Sequence, residues 1–360
     1  MTDKLAVHFQ KHDKDSIAIV NESYLKTGQP SIVKILNAPE VNPFESGILV
    51  DNRIFTEGDA YDQQFVNMGA AGAERYLARI ESMIRKYAIL ESPNEVDVSS
   101  PEKIRLLDAF ILQLVELSPV PIVGYNISTG NPPDMRWVEL LKSSCYALWR
   151  TGGRIGLHEY GYPPDGVNNQ IGYRCLRYRD FYRRLSALTY VPPIIITEFG
   201  PVDDGRGHGW RHFFDGNRAT FRDQCKLYSH YIGQDAYVEA ACVFTAGPEA
   251  QWASFEFDAE EARWLASQYE AHATFEQRLG QYAQKFVRPL NPDAALYKHG
   301  KALWLAPLMV QGDLRVPISD EFYFENVVSQ VWYSPARDVQ TVTYCVIGQW
   351  GNVRQFDRAN

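Results

Sequence analysis

Positive charge is in short supply in this chain: 36 Lys and Arg against 44 Asp and Glu leave a formal net charge of -8 over 360 residues. A surface that neutralises phosphates needs clustered Lys and Arg, so the balance argues against a nucleic acid or an anionic membrane as partner. Cysteine is also sparse. The five residues Cys145, Cys175, Cys225, Cys242 and Cys345 are odd in number, scattered and free of any Cys-x-x-Cys spacing. That pattern argues against a disulfide framework or a metal site and fits core thiols kept reduced. No apolar run approaches the ~20 residues of a membrane span, and Met1-Thr2-Asp3-Lys4 leads into a short apolar stretch with no signal-peptide core or cleavage signature. The expected setting is cytoplasmic, or that of a phage-encoded product released by lysis. Internal repeats and low-complexity tracts are missing, and no Gly-x-Gly-x-x-Gly or Walker pattern follows a strand, so Gly152-Gly153 reads as a helix stop and no cofactor is expected.

What the chain does have is an ordinary globular balance, 45% hydrophobic and 22% charged residues, with an excess of aromatics: 13%, including 21 Tyr and 8 Trp. Rings near loop positions suit stacking on sugars or other flat apolar faces. The length accommodates one large α/β barrel of about 250 to 300 residues plus a small module.

The most telling stretch is Pro193-Ile194-Ile195-Ile196-Thr197-Glu198-Phe199-Gly200. Three consecutive β-branched residues predict a strand buried on both faces, as in a parallel sheet wrapped by helices. The strand ends on a carboxylate, which is costly at an apolar lip unless it has a partner or a task. Seven further strands are predicted at Leu5–Phe9, Ser31–Asn37, Gly47–Arg53, Ala88–Val96, Val120–Asn126, Ile155–Tyr160 and Ala240–Thr245. Helical periodicity fills most of the gaps, with one continuous helix expected over Asp62–Tyr87 and a long last one over Ala259–Phe286. Ser100-Pro101 supplies a cap and first-turn proline for another. Only Ala38–Ser46 is too short for a crossover helix. The alternation predicts a (β/α)8 barrel over residues 1–287. Beyond a linker at Leu290-Asn291-Pro292, short apolar runs from Trp304 onward predict a small β-rich module over 288–360, for which an SH3-like sheet is one form.

Two carboxylates then stand at strand ends, Glu95 within Pro93-Asn94-Glu95-Val96 and Glu198, 103 residues apart in sequence but able to meet at the mouth of a closed barrel. Two carboxylic groups across a cleft are what glycosidic bond cleavage uses: one donates a proton to the leaving oxygen, the other attacks the anomeric carbon. With Asn94-Glu95 on the fourth strand, His158-Glu159-Tyr160 on the sixth, Glu198 on the seventh and Trp252 after the eighth, residues 1–285 resemble clan A of the glycoside hydrolases, retaining enzymes built on (β/α)8 barrels. The chain departs from that clan's Asn-Glu-Pro motif in having Val96 for the proline. The resemblance implies Glu95 as acid/base, Glu198 as nucleophile and Asn94 as a ligand of the sugar 2-hydroxyl. It further implies that His158 or Tyr160 hydrogen-bonds the nucleophile and that Trp252 forms a stacking floor.

Other residues keep more than one reading. Strand alternation turns Glu159 away from a cleft faced by His158 and Tyr160, toward a salt bridge with Arg177 or Arg179. His158-Glu159 lacks the second His of a zinc helix, since Tyr162 stands there. Asp203-Asp204 lacks an EF-hand's spacing and reads as a solvated turn. Arg53 either contacts a carboxylate of the site or substrate, or pairs with Glu198 structurally. Tyr125 and Asn126 either line the cleft or cap a strand. Beside a hydrolase acting on a polysaccharide or oligosaccharide stand two alternatives: a barrel that binds carbohydrate or cell wall without catalysis, and an endolysin-like muralytic protein anchored by its C-terminal module.

Overall fold

A computed structural model of the protein describes residues 4–284, 316–319, 321–324, 326–334, 337, 339–347 and 353–357; the side chains of 272–284, 316 and 317 are not described. The predicted linker Leu290-Asn291-Pro292 and the run beginning at Trp304 lie outside those residues. The chain divides into two compact units, Met1–Glu270 and Ala271–Asn360.

The first unit is a closed parallel barrel. Strands β1 (Leu5–Phe9), β2 (Ile32–Leu36), β3 (Leu49–Arg53), β4 (Ala88–Glu91), β5 (Ile122–Ile127), β6 (Arg154–Tyr160), β7 (Ile194–Gly200) and β8 (Val238–Ala246) pair in sequence order, and β8 returns to β1. Helix α1 (Lys14–Thr27) follows β1, whereas β2 reaches β3 through an irregular loop, as the short segment 38–46 required. Between β3 and β4 the expected single helix is two, α2 (Asp59–Val66) and α3 (Ala70–Ile80), because the chain turns at 67–69 with Gly69 N–H bonded to Val66. Ser100 caps α4 (Pro101–Leu117), its Oγ accepting from Lys103 N–H at 3.3 Å. Asn217 does the same for α8 (Arg218–Ile232), which follows α5 (Lys142–Arg150), α6 (Tyr178–Ser186) and the short α7 (Trp210–Phe213). Helix α9 (Ala259–Gln284) ends the series. No helix among the described residues is long and apolar enough to cross a membrane.

Two cores result from strand alternation. The outward strand faces (Val7, Val33, Val50, Leu90, Ile155, Ile194 and Ile196 among them) join the helices in one large apolar layer. Inside the barrel, Ala6, Ile32, Ile89, Val123, Ile195 and Cys242 form a smaller apolar plug. Above that plug, toward the C-terminal strand ends, the interior changes character: His8, Lys34, Asp51, Glu91 and Glu198 are all buried there. An apolar floor under a polar ceiling gives the site its depth. All five cysteines are buried free thiols.

The second unit contains an antiparallel sheet ordered β10 (Phe322–Phe324), β11 (Val327–Ser334), β12 (Val339–Val346) and β13 (Arg354–Asp357), with β9 (Val316–Pro317) also on β11. Phe322, Val327, Val331, Val342 and Tyr344 pack on one of its faces. The alternating apolar runs from Val331 and Val342 thus form the paired central strands, with Val331 opposite Val342.

Candidate functional site

Glu198 reaches the barrel interior through a break in strand regularity. In regular alternation Ile195 and Thr197 would point inward and Glu198 outward. The β6–β7 pairing instead shifts register between Leu157 and His158, so that His158 stands opposite Glu198 and Thr197 is bulged out of the ladder. A bulge re-aims the next side chain; Phe199 consequently faces the helices, stacked on Tyr228 with centroids 4.0 Å apart. Glu198 is left in the mouth with its side chain 8% exposed. Gly200 leaves room for the Tyr160 ring, since a Cβ there would lie 2.5 Å from Tyr160 Cδ1.

Every oxygen of Glu198 has donors. Oε1 faces Lys34 Nζ at 3.1 Å and Arg53 Nη1 at 3.4 Å, and Oε2 accepts from the Tyr160 hydroxyl at 3.0 Å. Burial by itself would push this carboxyl up. The positive charge around it, led by His158 and Lys34, outweighs burial and holds it well below the usual carboxylate range. Glu198 is therefore ionised at neutral pH.

Glu95 arrives differently from expected. Strand β4 stops at Glu91, so Glu95 sits on the loop that follows and not on a strand tip. Its backbone takes a left-handed conformation (φ 44°), and its N–H is anchored on the Asn126 carbonyl at 2.9 Å. The carboxyl is 43% exposed, and its Oε1 meets His158 Nδ1 at 3.0 Å. The same nitrogen lies 3.6 Å from Glu198 Oε2. One imidazole thus spans both carboxylates, and their nearest oxygens are no farther apart than these two contacts laid end to end, about 6.6 Å.

Asn126 and Tyr125 require correction. Both have positive φ, 45° and 85°, which reverses the alternation set by inward Val123. Tyr125 therefore turns out of the barrel, fully buried, with its hydroxyl 2.8 Å from Ser144 Oγ; it does not line the cleft. Asn126 points inward but lies beneath the cleft floor, fully buried. Its amide donates to Ser92 O at 3.0 Å and its Oδ1 accepts from Thr197 Oγ1 at 3.2 Å. Gly156 makes space for it, since a Cβ there would come within 2.0 Å of Asn126 Oδ1. Asn126 consequently ties the loop carrying Glu95 to the bulge preceding Glu198, and so fixes the spacing of the two carboxylates from below.

Asn94, Arg53, Tyr160 and Trp252 border the cleft, which encloses about 680 Å³, whereas His158, its side chain fully buried, reaches the two carboxylates from behind the wall. Asn94 Nδ2 lies 3.4 Å from Asp59 Oδ2, and Arg53 bridges Asp59 and Glu198. Trp252 packs edge-on against Phe244 and Phe255, leaving one flank to the cleft. Asp203 also lines it, held by Arg174 at 3.4 Å, while Asp204 turns to His208; each accepts a backbone N–H two residues on, as in a capped turn.

Beneath Glu198 lies a second polar group that belongs to no sequence motif. Lys34, fully buried, also meets Glu91 Oε1 at 3.0 Å. As a carboxylate Asp51 would have no donor within reach; burial and the adjacent Glu91 push it far above its ordinary range, so it is the neutral acid and donates to Glu91. Burial, then Lys34, likewise keep His8 neutral. The signal in the sequence is a charged or polar residue two places after an inward apolar one on each of β1 to β4: His8, Lys34, Asp51 and Glu91.

Glu159 faces outward as alternation requires, but it forms no ion pair with the side chain of Arg177 or Arg179; it is held mainly by backbone N–H groups. It accepts from the backbone N–H of Leu176 at 2.7 Å and Tyr178 at 3.1 Å, and from the Tyr228 hydroxyl at 2.6 Å. Burial raises it to about 7 in spite of these bonds. A carboxyl raised in the folded state stabilises the fold below the unfolded value and loses that contribution as pH climbs through the folded one. Wild type is expected to lose on the order of 3 kcal/mol of stability between pH 4.5 and 7 from this residue. Urea titrations across that range should show the loss, and in Glu159→Gln it should be absent. An equal slope in both proteins would show that Glu159 is not the source.

A scan against models of protein families finds no match to this chain, and a search of curated proteins likewise finds no matching relative.

Proposed function

We propose that the barrel is a retaining glycoside hydrolase acting on a polysaccharide or oligosaccharide, with Glu198 as nucleophile and Glu95 as acid/base. The observation that carries the reading is the pair of carboxyls joined by His158 in one mouth, one buried and ionised, the other open to solvent. Glu198 Oε2 forms a bond to the anomeric carbon as the glycosidic C–O bond breaks. The electron pair goes to the leaving oxygen, which takes its proton from Glu95. Glu95 then removes a proton from water, whose oxygen displaces Glu198 and returns it as carboxylate. The upper limit of about 6.6 Å on the separation of the nearest oxygens accommodates the ~5–5.5 Å of a retaining pair, and the anomer of the first product separates this route from inversion, where the carboxyls stand about 6.5–9.5 Å apart with a water between them.

Trp252 supplies a face on which a sugar ring can stack, and Asn94 stands beside Glu95 where a sugar hydroxyl would pass. The direct test is release of new reducing ends from peptidoglycan, chitin, β-glucans, xylan and mannan, with the anomer of the first product read by NMR. Release with retained configuration is the expected result on at least one of them. Binding without release across the panel would favour a carbohydrate-binding barrel, and an inverted product would overturn the double displacement.

A further inference from the structure

We propose that Lys34 is the positioning residue for Glu198: an ammonium locked between Glu91 and Glu198 that immobilises Oε1 and leaves Oε2 as the oxygen that reacts. The inference rests on the glycosidase reading for its catalytic consequence, but not for its structural content.

Lys34 has no exposed surface and its ammonium is taken up by two carboxylates, so it is placed to position Glu198 and not to meet substrate itself. Its two contacts, 3.0 Å to Glu91 Oε1 and 3.1 Å to Glu198 Oε1, are both charge-assisted. A buried ammonium is tolerated only with such pairing, so the contact is a fixture of the folded barrel. The titratable and charged groups around the Lys34–Glu198 pair are His8, Arg53, His158 and Tyr160 beside Glu198, Glu91 and Asp51 beside Lys34, and Glu95 across His158. Lys34 and Arg53 both address Oε1, whereas Oε2 meets the neutral Tyr160 hydroxyl and lies on the Glu95 side through His158. Lys34 and Arg53 together fix Oε1 on the barrel side of the carboxylate. Oε2, held by one hydroxyl, keeps a lone pair for the anomeric carbon. When the ester later breaks, the returning charge again falls on an oxygen pair already neutralised from below. Glu91 anchors the far side of Lys34, and the neutral Asp51 caps Glu91 in turn.

The test uses the full chain and two variants. Lys34→Met keeps the length and removes the charge; Lys34→Met/Glu91→Gln removes the pair together, so that no buried anion is stranded if the single variant fails to fold. Both are expected to lower kcat about 10²-fold with little change in KM. The acidic limb of the pH–rate profile should move upward by about one to three units in Lys34→Met, because the carboxylate of Glu198 loses a neighbouring cation, and by less but in the same direction in the double variant, where the more distant Glu91 anion goes with it. A role confined to folding would lower stability without moving that limb, so an unmoved limb in a folded variant overturns the proposal. The same shift is read without turnover from the carboxyl 13C resonance of Glu198 in glutamate-labelled protein, assigned by its loss in Glu198→Gln. If the titration moves and no glycan is cleaved by wild type, the hold of Lys34 on Glu198 stands and the glycosidase reading falls. If the titration is unchanged, Lys34 is eliminated whatever the protein hydrolyses.

Discussion

Glu198→Gln is expected to reduce turnover on any substrate of the wild type by on the order of 10⁴-fold or more. The amide has the size of the carboxylate and can still accept from Lys34 or Tyr160, so the barrel should keep its far-ultraviolet dichroism and its cooperative unfolding. What it lacks is the negative charge that the proposed displacement requires, and no other anion stands in its place: Glu91 is sealed under Lys34 and Asp51 is neutral. The shorter Glu198→Ala separates chemistry from geometry more sharply. It opens a space at the attacking position, and a small external anion such as azide can enter it. Azide should then restore turnover of an activated aryl glycoside and yield a glycosyl azide of inverted configuration, because only one displacement occurs. Activity of Glu198→Gln within tenfold of wild type would remove this residue from the chemistry.

The parts of this arrangement that alternate regularly were legible in the sequence. Ile194-Ile195-Ile196 could only be a strand covered on both faces, and His158 and Tyr160, two apart on β6, had to share a face with Glu159 on the other. Eight such strands with helices between most of them define a closed barrel, and they do close. Departures from alternation were not legible. The Thr197 bulge and the positive φ of Tyr125, Asn126 and Glu95 each redirect a side chain, and residue type marks only Asn126, since asparagine enters that conformation more readily whereas tyrosine and glutamate rarely do. Tyr125 was therefore expected beside Asn126 and lies on the far side of the strand. The polar ceiling of the barrel escaped for another reason. Lys34, Asp51 and Glu91 come from three separate strands, and their pairing depends on the closure and stagger of the sheet, which local pattern does not encode. Arginines at 177 and 179 suggest ion pairs for Glu159, whereas the tertiary fold offers it backbone N–H groups of the 176–178 turn and a tyrosine hydroxyl.

Glu95→Ala should behave quite differently from Glu198→Ala, and the contrast is the strongest check on the assigned roles. Loss of a general acid costs about 10²–10⁴-fold in rate when the leaving group needs a proton. A dinitrophenyl glycoside needs none, so its first displacement by Glu198 should proceed at nearly the wild-type rate. The second displacement then lacks the base that activates water, and the glycosyl-enzyme should accumulate. A burst of dinitrophenol equal to the enzyme concentration, followed by slow turnover, is the expected trace, and mass spectrometry should find the sugar attached to the peptide containing Glu198. Azide, which needs no base, should again accelerate turnover, but here it enters from the Glu95 side and gives a glycosyl azide of retained configuration. The 43% exposure of the Glu95 side chain makes that approach open to a small anion. The loop should tolerate the change, since Glu95 is fixed through its backbone N–H on Asn126 and not through its carboxyl. If Glu95→Ala loses activity equally on dinitrophenyl and unactivated glycosides, with no burst and no azide effect, Glu95 holds the cleft in shape and the proton comes from elsewhere.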